Sequence, residues 1–492
     1  MKNFMESMKT DTNFTTTTNG ATALKSTSSF VLDFFSQAGA IRGRSTANIE
    51  EMFFKAFKED PLLATKALFY TRDIRGGLGE RMVFRTILKY LANNYSVVVA
   101  KNMAIIPEFA RWDDMFVLFD TPCSFAMTQM VKEQLDSDVR ESRNGNPISL
   151  LGKWMPSENA SCPNTIATAH KFIKAFGWTP KNYRKVLTEL RAKIKIVETY
   201  MSSGNWEEIQ YPMVPSKAMT NYRKAFSKQD ADRFVAYLES LKKGEAKINA
   251  STLYPYDIME KAGLNMPYNG NLQLSSLDAV LQAQWNALPN YVEGENNILV
   301  MADTSGSMRG RPMATSVGLA IYFAERNKGA YKDMFLTFSS KPSLVQLVGN
   351  TLAEKVRCVP SIVANTNLEL AFDLVLNVAV RNGISVDEMP KALVVVSDMQ
   401  MDGATEGHRY ETFHATMEKK YNDAGYPMPN VVYWNCNALN DTHQVDAKKP
   451  GVQLYSGQSP STFKSVVQNI GKSPYDAMIN VLNSDRYCVV RV

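Results

Sequence analysis

Asn297-Ile-Leu-Val-Met-Ala-Asp303-Thr-Ser305-Gly-Ser307 is the stretch on which the fold turns. Ile298 to Ala302 are apolar without interruption. A short run with no polar face belongs to a strand covered on both sides, as in a parallel sheet. The run stops at a carboxylate, two hydroxyls and a glycine. Such a loop follows a strand more readily than it continues one.

The same alternation continues downstream. The pattern predicts a helix over Pro312–Arg326 and strands at Met334–Phe338 and Leu344–Val348. It then predicts a helix over Leu368–Arg381 and a strand at Ala392–Val396, apolar on both faces. A helix over Arg409–Asp423, strands at Val431–Asn435 and Val452–Tyr455, and a helix over Thr462–Ile470 complete it. Fully apolar strands between helices indicate a doubly wound α/β domain over 296–492.

Ligands of open α/β sheets gather beyond the carboxyl ends of strands. Asp303, Ser305 and Ser307 offer hard oxygens over a short arc, suited to Mg²⁺ or another divalent cation. Gly306 allows the turn to bend back. Asp398 ends the strand Ala392–Ser397 in the same way, and Thr366 precedes the helix at Leu368, so three loops can converge on one cation. An Asp-x-Ser-x-Ser loop with a downstream Thr and a strand-end Asp resembles the metal-ion-dependent adhesion site of von Willebrand A domains. The resemblance implies that Ser305, Ser307 and Thr366 touch the metal, that Asp303 and Asp398 support it, and that an acidic group of a partner completes the shell.

Enzyme readings find little here. A phosphotransferase of the haloacid dehalogenase type needs Asp-x-Asp, and position 305 is Ser. Arg75-Gly-Gly-Leu-Gly-Glu-Arg81 lacks the Gly-Lys-Ser/Thr of a phosphate-binding loop. The four histidines and five cysteines are scattered, which argues against zinc, a disulfide frame or a nucleophilic triad and for a reducing, cytoplasmic compartment. The apolar runs are too short to span a bilayer.

Upstream the periodicity is helical. Asn48-Ile-Glu-Glu51 and Asp60-Pro61 read as helix starts, and a further helix begins near Glu80. Closely spaced helices over 28–250 suggest stacked antiparallel pairs, an α-solenoid, without a literal repeat. The Thr-, Ser- and Asn-rich residues 1–27 read as a flexible tail, and 251–295 as a connector with one short helix near Leu277–Leu288.

The net charge of +6 sits mostly in this half. Residues 296–492 carry 19 Lys and Arg against 18 Asp and Glu, whereas Lys181–Lys247 carry 14 against 8. Arg72, Arg75, Arg81 and Arg85 form one basic group. Arg184, Lys185, Arg191 and Lys195, with Lys217, Arg223 and Lys224, form others, interleaved with Tyr183 and Tyr222. Cations beside aromatic rings suit single-stranded RNA, by phosphate pairing and base stacking. Solvated helix faces or ion pairs between helices produce the same counts.

Asp73-Ile-Arg75-Gly-Gly-Leu-Gly79-Glu80-Arg81 is similar to the signature of the TROVE module of the Ro ribonucleoprotein family, which joins a ring of HEAT-like helical repeats to a von Willebrand A domain. Trp206–Lys247 and the ending Asp485-Arg-Tyr487 resemble more an uncharacterised related branch of microbes, phages and eukaryotes. The resemblance implies a non-catalytic protein that binds small structured or single-stranded RNA. The alternative is a protein-interaction scaffold whose cation captures an acidic residue of a partner. RNA, or such a protein partner, is expected, and no membrane.

Overall fold

A computed structural model describes residue 8 and residues 12–267, 270–292, 297–338, 341–361, 367–403 and 411–492. It combines many helices with a six-stranded sheet and two small hairpins. The strands in chain order are β1 (Phe14–Thr16), β2 (Thr22–Leu24), β3 (Leu264–Asn265), β4 (Gln273–Leu274) and β5 (Ile298–Asp303). They continue as β6 (Met334–Phe338), β7 (Ser343–Gln346), β8 (Ala392–Ser397), β9 (Asn430–Asn435) and β10 (Val452–Ser456).

The large sheet runs β10-β9-β8-β5-β6-β7 and is parallel except where β7 returns against β6. Every residue of β5, β8 and β10 is buried, as their unbroken apolar character requires. From β5 the chain first adds β6 and β7 on one side. It then crosses over to add β8, β9 and β10 on the other. The carboxyl ends of β5 and β8 therefore flank the point where strand order reverses, the usual position of a ligand crevice. Register pairs Ala302 with Val396, so Asp303 and Ser397 come next, side by side.

The helical part starts as its caps dictate. Helix Pro61–Arg72 has Asp60 as N-cap, its carboxylate accepting from Leu63 N at 2.8 Å, and proline at the first turn. Glu80 caps the helix Arg81–Asn94. The start expected at Asn48 lies earlier, because Ser45 supplies the cap and the helix runs Thr46–Glu59.

The sequence boundary near residue 250 is no break in packing. A continuous apolar core passes from Leu32, Phe53 and Phe84 through Trp285 to Val394, Trp434 and Tyr487. Helix Phe30–Gln37 packs on β10, and helix Pro474–Leu482 packs on Phe30–Gln37 and Pro61–Arg72. At the seam, a Cβ on Gly39 would stand 2.8 Å from the Cα of Gly457, so only glycine admits this approach. Val197, Tyr211, Phe226, Phe234 and Tyr237 form a separate, smaller core for helices between 197 and 242.

Two expectations change. From Asn13 onward the supposed flexible tail is a folded hairpin, β1 and β2, with Ala21 and Ala23 buried. Its Thr and Asn side chains, which suggested a solvated segment, bond to the loop after β8 and to each other's turns. The connector contains the expected helix, at Ala279–Asn286, and a second one, Pro255–Lys261, that packs on helix Arg311–Arg326. Among the described residues no helix is long and apolar enough to cross a membrane.

Candidate metal centre

Asp303 leaves β5 into a one-turn helix, Gly306–Met308, and its carboxylate is fully enclosed. Its Oδ1 accepts the Ser305 N–H at 2.8 Å, and its Oδ2 accepts the Ser397 hydroxyl at 2.6 Å. The Ser305 and Ser307 hydroxyls stand 3.2 Å apart. Ser305 is buried while Gly306 and Ser307 face solvent. Asp398, 1% exposed, accepts the Gln400 N–H on Oδ1 at 3.1 Å. Among the described residues its Oδ2 is buried and has no partner within hydrogen-bond geometry, although the Ser307 hydroxyl lies close enough to favour the charged form.

Among the described residues no basic side chain forms an ion pair with either carboxylate. Burial, only partly offset by the Ser305 and Ser397 hydrogen bonds and reinforced by Asp398, pushes Asp303 up to about 7. Burial also raises Asp398, against the Gln400 N–H and the Ser307 hydroxyl. The same two charges, added to its own burial, push the Cys436 thiol well up. Enclosed carboxylates without a counter-charge are costly, and such groups are neutralised, paired or bound to metal. Two carboxylates and two hydroxyls are a hard-oxygen donor set suited to Mg²⁺. An orphaned carboxylate oxygen fits that donor set, since a cation would supply its missing partner. Among the described residues no group of three or more His, Cys, Asp or Glu is arranged for a metal; the carboxylates of this site number two. Thr366 lies outside the described residues.

Sequence reading missed Ser397 and Gln400. Ser397 was legible only as a strand end, yet the parallel register places its hydroxyl on Asp303. Gln400 links the site to the N-terminal hairpin. Thr18 N donates to Gln400 Oε1 at 2.8 Å, Asn19 Nδ2 donates to Gln400 O at 2.6 Å, and Thr17 Oγ1 donates to Met401 O at 2.6 Å.

The basic residues divide sharply. Arg72 is 3% exposed and paired with the buried Asp114 at 2.7 Å, so it is no RNA contact; its charge holds helices together. Arg85 bonds Asp114 at 2.5 Å and Asp113 at 2.8 Å. Arg191 donates to Gly152 O, Met155 O and Ser157 Oγ, closing a loop rather than facing solvent. Arg223, largely buried, pairs with Asp278. Arg184 pairs with Glu158, and Lys217 with Asp257 at 3.5 Å. Arg75, Arg81, Lys185, Lys195 and Lys224 are exposed, and Lys195 ends its helix with a left-handed φ of 55°. Tyr183 is enclosed and cannot stack on a base; Tyr222 is half-buried, donates its hydroxyl to Glu198 and packs edge-to-face with Phe226.

The two stretches singled out at Asp73–Arg81 and Asp485–Tyr487 meet. The buried Asp73 carboxylate takes the Arg486 guanidinium and the Tyr487 hydroxyl, the latter at 3.1 Å. Gly77 is required there, because a Cβ would fall 2.1 Å from Tyr70 O. This part of the signature locks the chain's end to its helical half.

Comparison with known proteins finds two family models that match parts of the chain. Residues 297–481 match the family model described as Domain of unknown function (DUF7788). Residues 17–112 and 169–297 match Domain of unknown function (DUF2828). The chain is similar to the uncharacterized protein L728 of Acanthamoeba polyphaga mimivirus, 28% identical over 511 residues, covering 96% of this chain and 87% of that protein. No solved structure matches the chain.

Proposed function

We propose that this is a non-catalytic RNA-binding protein of the Ro ribonucleoprotein type. Its helical part is a HEAT-like module that carries the RNA, and its C-terminal part is a von Willebrand A-type domain holding Mg²⁺. The observation that carries the metal half is the pair of enclosed carboxylates, Asp303 and Asp398, with an unpartnered Oδ2 at a strand-order reversal. Asp303, Ser305, Ser307 and Asp398 would hold the cation, which supplies the positive charge that these oxygens lack. Support for the RNA half is the set of cations left in solvent after ion pairing. Calorimetric titration with Mg²⁺ tests the first half and anisotropy titration with a labelled oligouridylate tests the second. Absence of either binding overturns that half.

A metal-dependent protein scaffold is the second reading. The solvent-facing Gly306–Ser307 edge favours it, because a partner's carboxylate could approach the cation from there. Metal-dependent capture of a carboxylate-bearing peptide, without RNA affinity, would favour the scaffold.

A further inference from the structure

We propose that Arg81, Arg85, Arg111 and Lys153 form one phosphate-binding face on the helical part, taking the backbone of single-stranded RNA. The inference rests on the RNA reading above and gives it a location that the basic runs at 181–247 do not provide.

Asp113 is the hinge of this face. Its carboxylate bonds Arg85 at 2.8 Å and Arg111 at 2.5 Å, so two guanidinium groups meet on one acid. Asp114 below is already held by Arg72 and Arg85. Trp154 presents its ring to the Arg111 guanidinium at 3.9 Å, and Lys153 Nζ lies 5.5 Å from the same ring. Arg81, exposed at the start of helix Arg81–Asn94, adds its charge within reach of Arg85 and Arg111. Partial burial and then those two like charges lower its pKa. The neighbouring acid in sequence, Glu80, is engaged by Arg42 and by the Met82 N–H.

Arg72, Arg81, Arg85, Arg111 and Lys153 thus face two carboxylates, Asp113 and Asp114. Among the described residues three of these positive charges have no carboxylate of their own in the cluster. Like charges this close repel unless an anion joins them. Arg85 and Arg111 are each about a quarter exposed, enough to offer N–H groups that their acids leave open. Arginines held flat by a carboxylate and an aromatic ring are pre-organised for phosphate oxygens, which lowers the ordering cost of binding. Spaced cations rather than a single pocket suit a chain of phosphodiesters.

The test uses the full chain and a fluorescein-labelled oligouridylate. The double variant Arg81→Gln/Lys153→Gln removes two cations that form no close ion pair among the described residues, so folding should persist by circular dichroism. RNA affinity at low salt should fall about ten-fold. The slope of log K against log salt should shrink by about 1.4, as expected for two single-strand phosphate contacts. A charge-matched control on exposed lysines of the C-terminal part, Lys328→Gln/Lys332→Gln, should change affinity less than about two-fold. Equal losses in both variants would mean that net charge alone acts, and would overturn the face. Unchanged binding by Arg81→Gln/Lys153→Gln would overturn the face while leaving the RNA reading standing. A wild-type chain that binds no RNA at low salt would overturn both.

Discussion

Asp114 and Asp303 are both enclosed carboxylates, and the molecule treats them in opposite ways. Asp114 receives Arg72 at 2.7 Å and Arg85 at 2.5 Å, and accepts the Arg111 N–H at 3.0 Å. Among the described residues Asp303 receives the Ser305 N–H and serine hydroxyl groups but no guanidinium or ammonium, with a second carboxylate, Asp398, beside it. One site is complete within the chain. Among the described residues the other has no basic partner, and the proposed cation would supply that charge. Basic residues were the conspicuous feature of the helical part, yet much of their charge serves the first purpose.

The largest expected effect comes from breaking the complete site. Arg72→Met leaves Asp114 buried with half of its compensation. Removing one partner of a buried pair costs about 3–5 kcal/mol. Urea denaturation should show a loss of that order, and Asp114→Asn in the same chain should recover part of it. A loss below about 1 kcal/mol would mean that Arg85 alone balances Asp114, and the contrast with Asp303 would weaken.

Completing the incomplete site is the converse test. A cation that binds only the folded chain stabilises it by about 2.7 kcal/mol at 100 times its Kd. Mg²⁺ should therefore raise the melting temperature of the wild type. It should do nothing for Asp398→Asn, which removes the carboxylate with the unpartnered oxygen. Equal stabilisation of both proteins would place the cation elsewhere.

A third buried group takes another course. His414 is enclosed, its Nδ1 lies 3.1 Å from the Tyr433 hydroxyl, and burial, with help from Lys449, pushes its pKa down to about 3. It stays neutral instead of finding a counter-charge. In the unfolded chain its pKa is about 6.5. The unfolded state therefore binds a proton first, and the stability that neutral His414 contributes above about pH 6.5 is lost as pH falls toward 3. Between about pH 8 and pH 5 this amounts to about 2 kcal/mol. His414→Gln should flatten that part of the stability–pH curve. An identical slope in wild type and variant would show that other groups set it.

How much of this was readable in advance depends on the range of the interaction. β5 and β8 were legible because an unbroken apolar run has one good solution, burial on both faces. Asp303 and Asp398 were legible because each ends such a run. Caps at Asp60 and Glu80 are local and were readable for the same reason. The fate of the arginines was not. Whether Arg72 meets Asp114 or solvent is decided 42 residues away, and helical spacing carries no information about that distance. The N-terminal hairpin escaped for the same reason, since its partners are more than 380 residues distant. Its composition resembles that of a solvated tail, because Thr and Asn bond equally well to water or to another loop.

That hairpin supplies the smallest effect and the finest test of the contrast. Asp398 lies at the head of a tight loop in which Met399 has a left-handed φ of 62°. A bulky residue held there costs about 1–3 kcal/mol and persists only when its surroundings enforce it. The enforcement comes from Gln400: its N–H holds Asp398 Oδ1 at 3.1 Å, while its side chain and carbonyl accept from Thr18 and Asn19. Gln400→Ala keeps the N–H but removes the side-chain acceptor. The loop should loosen without unfolding, because the apolar core around β5 and β8 is untouched. Mg²⁺ affinity should then drop by less than about ten-fold, under about 1.4 kcal/mol, with the urea midpoint of the metal-free protein nearly unchanged. Arg72→Met should show the reverse: a large loss of stability and, in the fraction still folded, normal Mg²⁺ affinity. If Gln400→Ala instead destabilised the metal-free chain as much as Arg72→Met, the hairpin would be part of the core scaffold. Asp398 would then be a folding residue, held as completely as Asp114.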